Sequence, residues 1–198
     1  MPQPHYYSEK QASPMHTSKI KVLLRGISFE FYTAPGVFSK KKIDNGTELL
    51  IEHAIIEDGW NVLDIGCGYG PIGIAVAKCF PNANVLMAEI NTRALKLAGM
   101  NADLNRVKNV ERVHSNLFDG INKKFNAILV NPPQSAGKKL CFEIIEKSKG
   151  HLEKNGLLQL VARRNKGGAE LSKKMKEVFG NVKEIVKGSG YRVYVSGN

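Results

Sequence analysis

The sequence is poor in cysteine. Cys67, Cys79 and Cys141 form no CxxC pair, which excludes a disulfide framework and a zinc ribbon and points to a reducing, cytoplasmic setting. Long apolar runs are missing as well. Stretches such as Ala127-Ile128-Leu129-Val130 fall far short of the about 20 residues that a membrane helix needs. Residues 1–10 lack a basic segment followed by an apolar one, so no signal peptide is expected. The five histidines have no metal-ligand spacing, and no Ser-His-Asp or Cys-His pairing is evident. No metal is expected.

Acidic side chains are scarce: 18 Asp and Glu stand against 29 Lys and Arg, a net charge of +11. Residues 1–60 carry 7 of each sign, whereas residues 131–198 carry 14 basic and 6 acidic side chains. Such an asymmetric excess suits a polyanionic partner, RNA or DNA being the commonest, and equally a lysine-rich solubilising surface. With 198 residues, 42% apolar and 24% charged, the chain is suited to one domain with a full core, and not to a fibrous, disordered or membrane-spanning chain.

Residues 1–18, rich in Pro, Ser, Gln and His, read as a weakly structured arm in which Tyr6 and Tyr7 dock on something. Ile20, Val22 and Leu24, then Ile27, Phe29 and Phe31, alternate on either side of Arg25-Gly26 as a β-hairpin. A helix is expected over 46–56 with Leu49, Leu50, His53 and Ala54 on one face. From residue 59 the pattern becomes strand-helix alternation. Strands are expected at 62–65, 85–90, 110–114, 127–130 and 157–162, with helices near 71–80, 92–105, 138–153 and 168–179. Segments 182–186 and 192–195 flank Gly188-Ser189-Gly190 as a closing hairpin. These elements predict an α/β fold. Its Rossmann-like, seven-stranded, mostly parallel sheet ends in an antiparallel hairpin and is preceded by the hairpin and helix of 19–58.

The strongest chemical signal is Asp64-x-Gly66-x-Gly68-x-Gly70, where a strand runs through a glycine turn into a helix. Open α/β sheets bind ligands at such places. A dinucleotide fingerprint would need a small residue at 71, where Pro71 stands. The charge of Asp64 repels a pyrophosphate and suits a cationic or zwitterionic ligand, which favours S-adenosylmethionine over NAD. Glu89, at the end of the next strand, is placed to accept from ribose hydroxyls. Asn116, after the third strand, is either an adenine contact or an ordinary turn residue. In Asn131-Pro132-Pro133-Gln134 two prolines fix a rigid exit from the fourth strand. There the Asn131 amide oxygen and the Pro132 carbonyl can converge on one amino group and aim its lone pair; a merely structural turn is the other reading. Arg163, Arg164, Lys138 and Lys139 lie on the same sheet edge, as a rim for a phosphate backbone or as a solvated face.

Together these motifs resemble class I S-adenosylmethionine-dependent methyltransferases. Pro35-Gly-Val-Phe-Ser39, Asp44-x-Gly46-Thr47-x-Leu49-Leu50 and the arm His5-Tyr6-Tyr7-Ser8 narrow the resemblance to the methyltransferase-small-domain family. This family includes the small-subunit rRNA guanine methyltransferases and short archaeal relatives. The resemblance implies cofactor contacts from Asp64, Gly66, Cys67, Gly68, Gly70, Glu89, Ile90, Asn116, Leu117 and Asn131. It implies catalytic contacts from Asn131 and Pro132, and substrate contacts from Phe38, Pro133, Gln134, Lys138, Arg163 and Arg164. The implied substrate is guanine in structured RNA, rRNA or tRNA, bound by a monomer or homodimer with no metal and no membrane. Two positions depart from the family pattern. Gln134 stands where Phe or Tyr is usual, so Phe38 is expected to stack on the base while the Gln134 amide bonds its edge. Asn116 stands where Asp is usual. The expected target is the exocyclic amine. Ring nitrogen 7, a protein glutamine and a non-catalytic RNA-binding module remain as alternatives.

Overall fold

The computed structural model describes residues 8, 9, 11 and 15–198. His5, Tyr6 and Tyr7 of the arm lie outside the described residues. Strands β1 (Ser18–Leu24) and β2 (Ile27–Thr33) pair antiparallel from Ser18↔Thr33 to Leu24↔Ile27. Arg25 and Gly26 both take positive φ, 48° and 75°, as a two-residue type I′ turn requires. This hairpin is a sheet of its own.

The main sheet comprises β3 (Asn61–Ile65), β4 (Asn84–Glu89), β5 (Val110–His114), β6 (Phe125–Val130), β7 (Leu152–Arg163), β8 (Lys183–Gly188) and β9 (Tyr191–Gly197). Its strand order is β5-β4-β3-β6-β7-β9-β8. β9 alone runs antiparallel, inserted between β7 and the edge strand β8. The connections reverse direction between β3 and β6, and such a switch point opens a crevice at the carboxyl ends of the strands. On one face pack α1 (Asn45–His53), α2 (Pro71–Cys79), α3 (Thr92–Leu104) and the hairpin, burying Phe29, Phe31, Leu50, Ile74, Met87 and Leu97. On the other, α4 (Lys138–Gly150) and α5 (Gly168–Phe179) cover Ile128, Leu158 and Leu160 with Ile145 and Met175.

Three expectations are corrected. α4 stops at Gly150, because His151 turns back to cap it, with Nδ1 2.9 Å from Lys147 O and Nε2 3.1 Å from Ile121 O. β7 therefore starts early, pairing Leu152 with Phe125 before a register shift brings Leu157 opposite Ala127. α1 is shorter than 46–56 and turned about its axis: it buries Gly46, Thr47, Leu50 and Ile51, while His53 is exposed. The apolar count misleads there because a glycine and a threonine are buried for polar and steric reasons given below.

Candidate active site

A cavity of about 440 Å³ opens at the switch point. Its wall includes Gly66, Cys67 and Gly68 after β3, Glu89 and Ile90 after β4, and Asn116 and Leu117 after β5. Asn131, Pro132, Pro133 and Gln134 after β6, Arg163 after β7, and Phe38 complete the set of expected residues brought together. Asp64, Gly70, Lys138 and Arg164 are not wall residues.

The glycine turn divides its labour. Gly66, Gly68 and Gly70 have φ of 68°, 58° and 92°, where side chains are strained. A Cβ on Gly66 or Gly68 would meet no atom within 4 Å, so the cradle they leave is open. A Cβ on Gly70 would lie 2.8 Å from Ile74 Cδ1 and 3.3 Å from Ala98 Cβ; that glycine serves the packing of α2 on α3. Asp64 is fully buried next to the turn. Its Oδ2 accepts from Gly73 N at 2.8 Å, while Oδ1 has no partner among the described residues. Burial pushes its carboxyl up to about 7 against the opposing Gly73 bond, and the Glu89 charge adds to the rise. Glu89 accepts from Gly68 N at 2.9 Å and Asn91 N at 2.7 Å, and burial raises its pKa too. Two buried carboxyls with incomplete compensation suit a cation-bearing ligand. Burial raises the Cys67 thiol well above its ordinary value, which disqualifies it as a thiolate nucleophile.

Loops finish the wall. Ser115 Oγ donates to Leu117 O or Asp119 O, both 2.8 Å away, and holds Leu117 at φ 53°. Asn91 Oδ1 caps α3, while its Nδ2 donates to Gly36 O at 3.0 Å. Arg93 donates to Pro35 O at 2.7 Å. These bonds anchor the loop that carries Phe38, whose residue is 38% exposed at the cavity.

Asn131 donates through Nδ2 to Thr47 Oγ1 at 2.9 Å and Asp44 Oδ2 at 3.2 Å. Pro132 O accepts from Gln134 N at 2.8 Å through an inverse γ-turn at Pro133 (φ −73°, ψ 76°). That bond occupies one of the two lone pairs of this carbonyl. The Gln134 side chain is also engaged: Oε1 accepts from Arg163 N at 2.9 Å and Nε2 donates to Lys166 O at 2.8 Å. It clamps the exit of β7, and its amide is not held ready for a base edge. Lys138 is bound to Glu170 at 2.6 Å, which takes it out of the unpaired rim. Arg164 and Lys166 are exposed, without an ion pair among the described residues, and Lys40 and Lys41 stand likewise beside Phe38 and Ser39.

Three wall residues, Asp44, Thr47 and Tyr191, carry polar roles that sequence reasoning did not assign. Asp44 caps α1, with Oδ2 accepting from Gly46 N at 2.9 Å and Thr47 N at 3.3 Å. Its Oδ1 accepts from Tyr191 OH at 2.8 Å, and that hydroxyl accepts from Arg163 Nε at 2.8 Å. The Asp44-x-Gly46-Thr47 spacing signals an N-cap; nothing local signals Tyr191. Among the described residues no three His, Cys, Asp or Glu side chains gather as a metal site, and no helix is long and apolar enough to cross a membrane.

Residues 28–195 match the family described as methyltransferase small domain. The uncharacterized protein YbxB of Bacillus subtilis is 39% identical over 194 residues, 96% of either chain. Ribosomal RNA small subunit methyltransferase C of Haemophilus influenzae is 34% identical over 167 residues, which are 82% of this chain and 49% of that one. The chain thus spans about half the length of that relative. A solved T. thermophilus 16S rRNA N2 methyltransferase, in complex with AdoMet and guanosine, superposes with a TM-score of 0.82 at 23% identity. The superposition covers 96% of this chain and 53% of that one. At that identity the likeness is one of fold.

Proposed function

The chain belongs to the methyltransferase small domain family, and from that premise we propose that it methylates the exocyclic amine of guanine in structured RNA, rRNA first, using S-adenosylmethionine. The observation that carries this reading is the Asn131 amide, whose nitrogen is tied back to Asp44 and Thr47 while Oδ1 has no hydrogen-bond partner among the described residues.

The residues present fit the cofactor. The open cradle at Gly66 and Gly68, the Glu89 carboxylate, Ile90, Asn116 and Leu117 would hold it, and the partnerless Asp64 Oδ1 favours its positive charge. S-adenosylmethionine supplies a methyl group on a sulfonium, open to direct displacement at carbon. Asn131 Oδ1 accepts one hydrogen of the target amine, and the free lone pair of Pro132 O accepts the other. The pair draws the nitrogen lone pair out of conjugation and aims it, and such positioning supplies much of the rate in a displacement. No covalent enzyme intermediate is needed: the nitrogen–carbon bond forms as the methyl carbon–sulfur bond breaks, the neutral thioether leaves, and the surplus proton of the methylated amine passes to solvent. Phe38 offers a face for the base. Arg163, Arg164 and Lys166 on one side, and Lys40 and Lys41 on the other, meet the flanking phosphates.

One observation favours a second target. Because Gln134 N occupies part of Pro132 O, a single acceptor, Asn131 Oδ1, is fully available. Ring nitrogen 7 already presents an in-plane lone pair and needs only to be aimed. Incubation with labelled S-adenosylmethionine and rRNA, tRNA or total protein in parallel tests the proposal. Label in rRNA, recovered as N2-methylguanosine, is the expected result. Borohydride–aniline cleavage at the modified base would transfer the assignment to nitrogen 7. Label confined to protein, or in nothing, would overturn it.

A further inference from the structure

The Asn131 amide has two nearly isosteric ends, and a half-turn of the side chain exchanges acceptor for donor. Only the acceptor end can receive a hydrogen from an amine. The neighbours decide which end points inward. A carboxylate accepts and never donates, so the Asn131 atom 3.2 Å from Asp44 Oδ2 must be the nitrogen. Thr47 Oγ1, 2.9 Å away, accepts the second hydrogen. The flipped amide would set its oxygen against the Asp44 carboxylate.

Asp44 in turn has little freedom. Oδ2 is fixed by the Gly46 and Thr47 N–H groups in the first turn of α1, and Oδ1 by the Tyr191 hydroxyl. Tyr191 reaches it across Gly46, where a Cβ would come within 2.5 Å of the ring. The glycine two residues after the cap is therefore a requirement of this approach. An N-cap needs one side-chain oxygen; here a buried Thr47 hydroxyl is added against Asn131 and a tyrosine against Asp44.

We infer that Thr47 and Asp44 are positioning residues that lock the Asn131 amide with its oxygen toward the substrate, and that Tyr191 holds Asp44 to this task. The inference rests on the reading that Asn131 Oδ1 contacts the target base.

Thr47→Val keeps the shape and removes the acceptor. Turnover on rRNA is expected to fall roughly 10-fold, the effect of a modest loss of transition-state positioning, with KM for S-adenosylmethionine and the melting temperature unchanged. Thr47→Ser should restore it. In an Asn131→Ala background Thr47→Val should have no further effect, because residues acting as a unit are non-additive. A readout independent of substrate is the side-chain NH₂ signal of Asn131 in ¹⁵N-labelled protein, identified by its loss in Asn131→Ala. It should shift and exchange faster in Thr47→Val and, more weakly, in Tyr191→Phe. If the wild type methylates no RNA, the functional reading fails while this signal still tests the lock. An unmoved signal in both variants, or turnover losses that simply multiply, would overturn the inference.

Discussion

The side-chain amide of Asn101 bonds the backbone of Tyr32 in both directions, accepting from Tyr32 N at 2.6 Å and donating to Tyr32 O at 3.0 Å. One turn further on, at the C-cap of α3, Asn105 does the same to Glu30, at 3.3 Å and 2.7 Å. Side chains at i and i+4 of a helix stand about 6 Å apart, close to the repeat of alternate residues in a strand. The two asparagines thus act as a third strand for the open edge of β2. They seat the hairpin on the helix whose N-terminus helps form the cavity.

Asn101→Ala should leave both Tyr32 backbone groups and Tyr69 O short of partners, since Asn101 also donates to the latter at 2.9 Å. The expected loss is about 2–4 kcal/mol, from unsatisfied groups that are at least partly buried. Urea unfolding measures it, and hydrogen exchange should show a faster Tyr32 amide, with Glu30, held by Asn105, less affected. A loss within ±0.5 kcal/mol, the usual range of surface substitutions, would mean that the hairpin is held by its apolar face alone.

Gly68→Val and Gly70→Ala should fail in different ways. A side chain on Gly68 enters the open cradle, so S-adenosylmethionine binding should vanish in calorimetry while the circular dichroism spectrum survives. A methyl on Gly70 strikes Ile74 and Ala98, so stability should fall by about 1–3 kcal/mol from overpacking. Unchanged cofactor affinity in folded Gly68→Val would remove the turn from the site.

What was legible in the sequence was local. Asp64-x-Gly66-x-Gly68 and Asn131-Pro-Pro are contiguous, and each sits where a strand ends, so spacing alone places them at one sheet edge. The misreadings at the site are long-range. Gln134 meets Arg163 and Lys166 across 29 and 32 residues, and Lys138 meets Glu170 across 32. Tyr191 reaches Asp44 across 147 residues, and Asn101 reaches Tyr32 across 69. A helical asparagine reads as a solvated position, and no periodicity records that it pairs with a strand edge.

Asp64 makes stability depend on pH. Its folded pKa of about 7 lies above the ordinary 3.8. Between these values the folded protein keeps a proton that the unfolded chain has released. Stability is therefore fully present below about pH 4 and declines as pH rises through about 7, by on the order of 4 kcal/mol. Glu89, also raised, acts in the same direction. Urea midpoints across this window should fall for the free wild type and fall less for Asp64→Asn. Stabilisation by S-adenosylmethionine should grow over the same window as the buried charge appears. Parallel pH profiles for the two proteins would show that Asp64 keeps its ordinary pKa.

The rim should separate by pairing state. A cation that meets a phosphate adds about 1 to the salt slope of RNA binding, so its removal flattens the slope by that amount. Arg164→Ala and Lys41→Ala remove exposed cations without ion pairs, and each should weaken binding to rRNA fragments similarly across sequences. Lys138→Ala removes a charge already matched by Glu170 at 2.6 Å, so its slope should stay at the wild-type value. Gln134→Ala carries no charge, yet it frees the segment from Arg163 to Lys166. Its affinity for RNA should drop while base preference and S-adenosylmethionine affinity hold. Filter binding over a salt series, with calorimetry for the cofactor, measures all four. If Gln134→Ala changed the preferred base and left affinity intact, the glutamine would be reading the nucleobase after all.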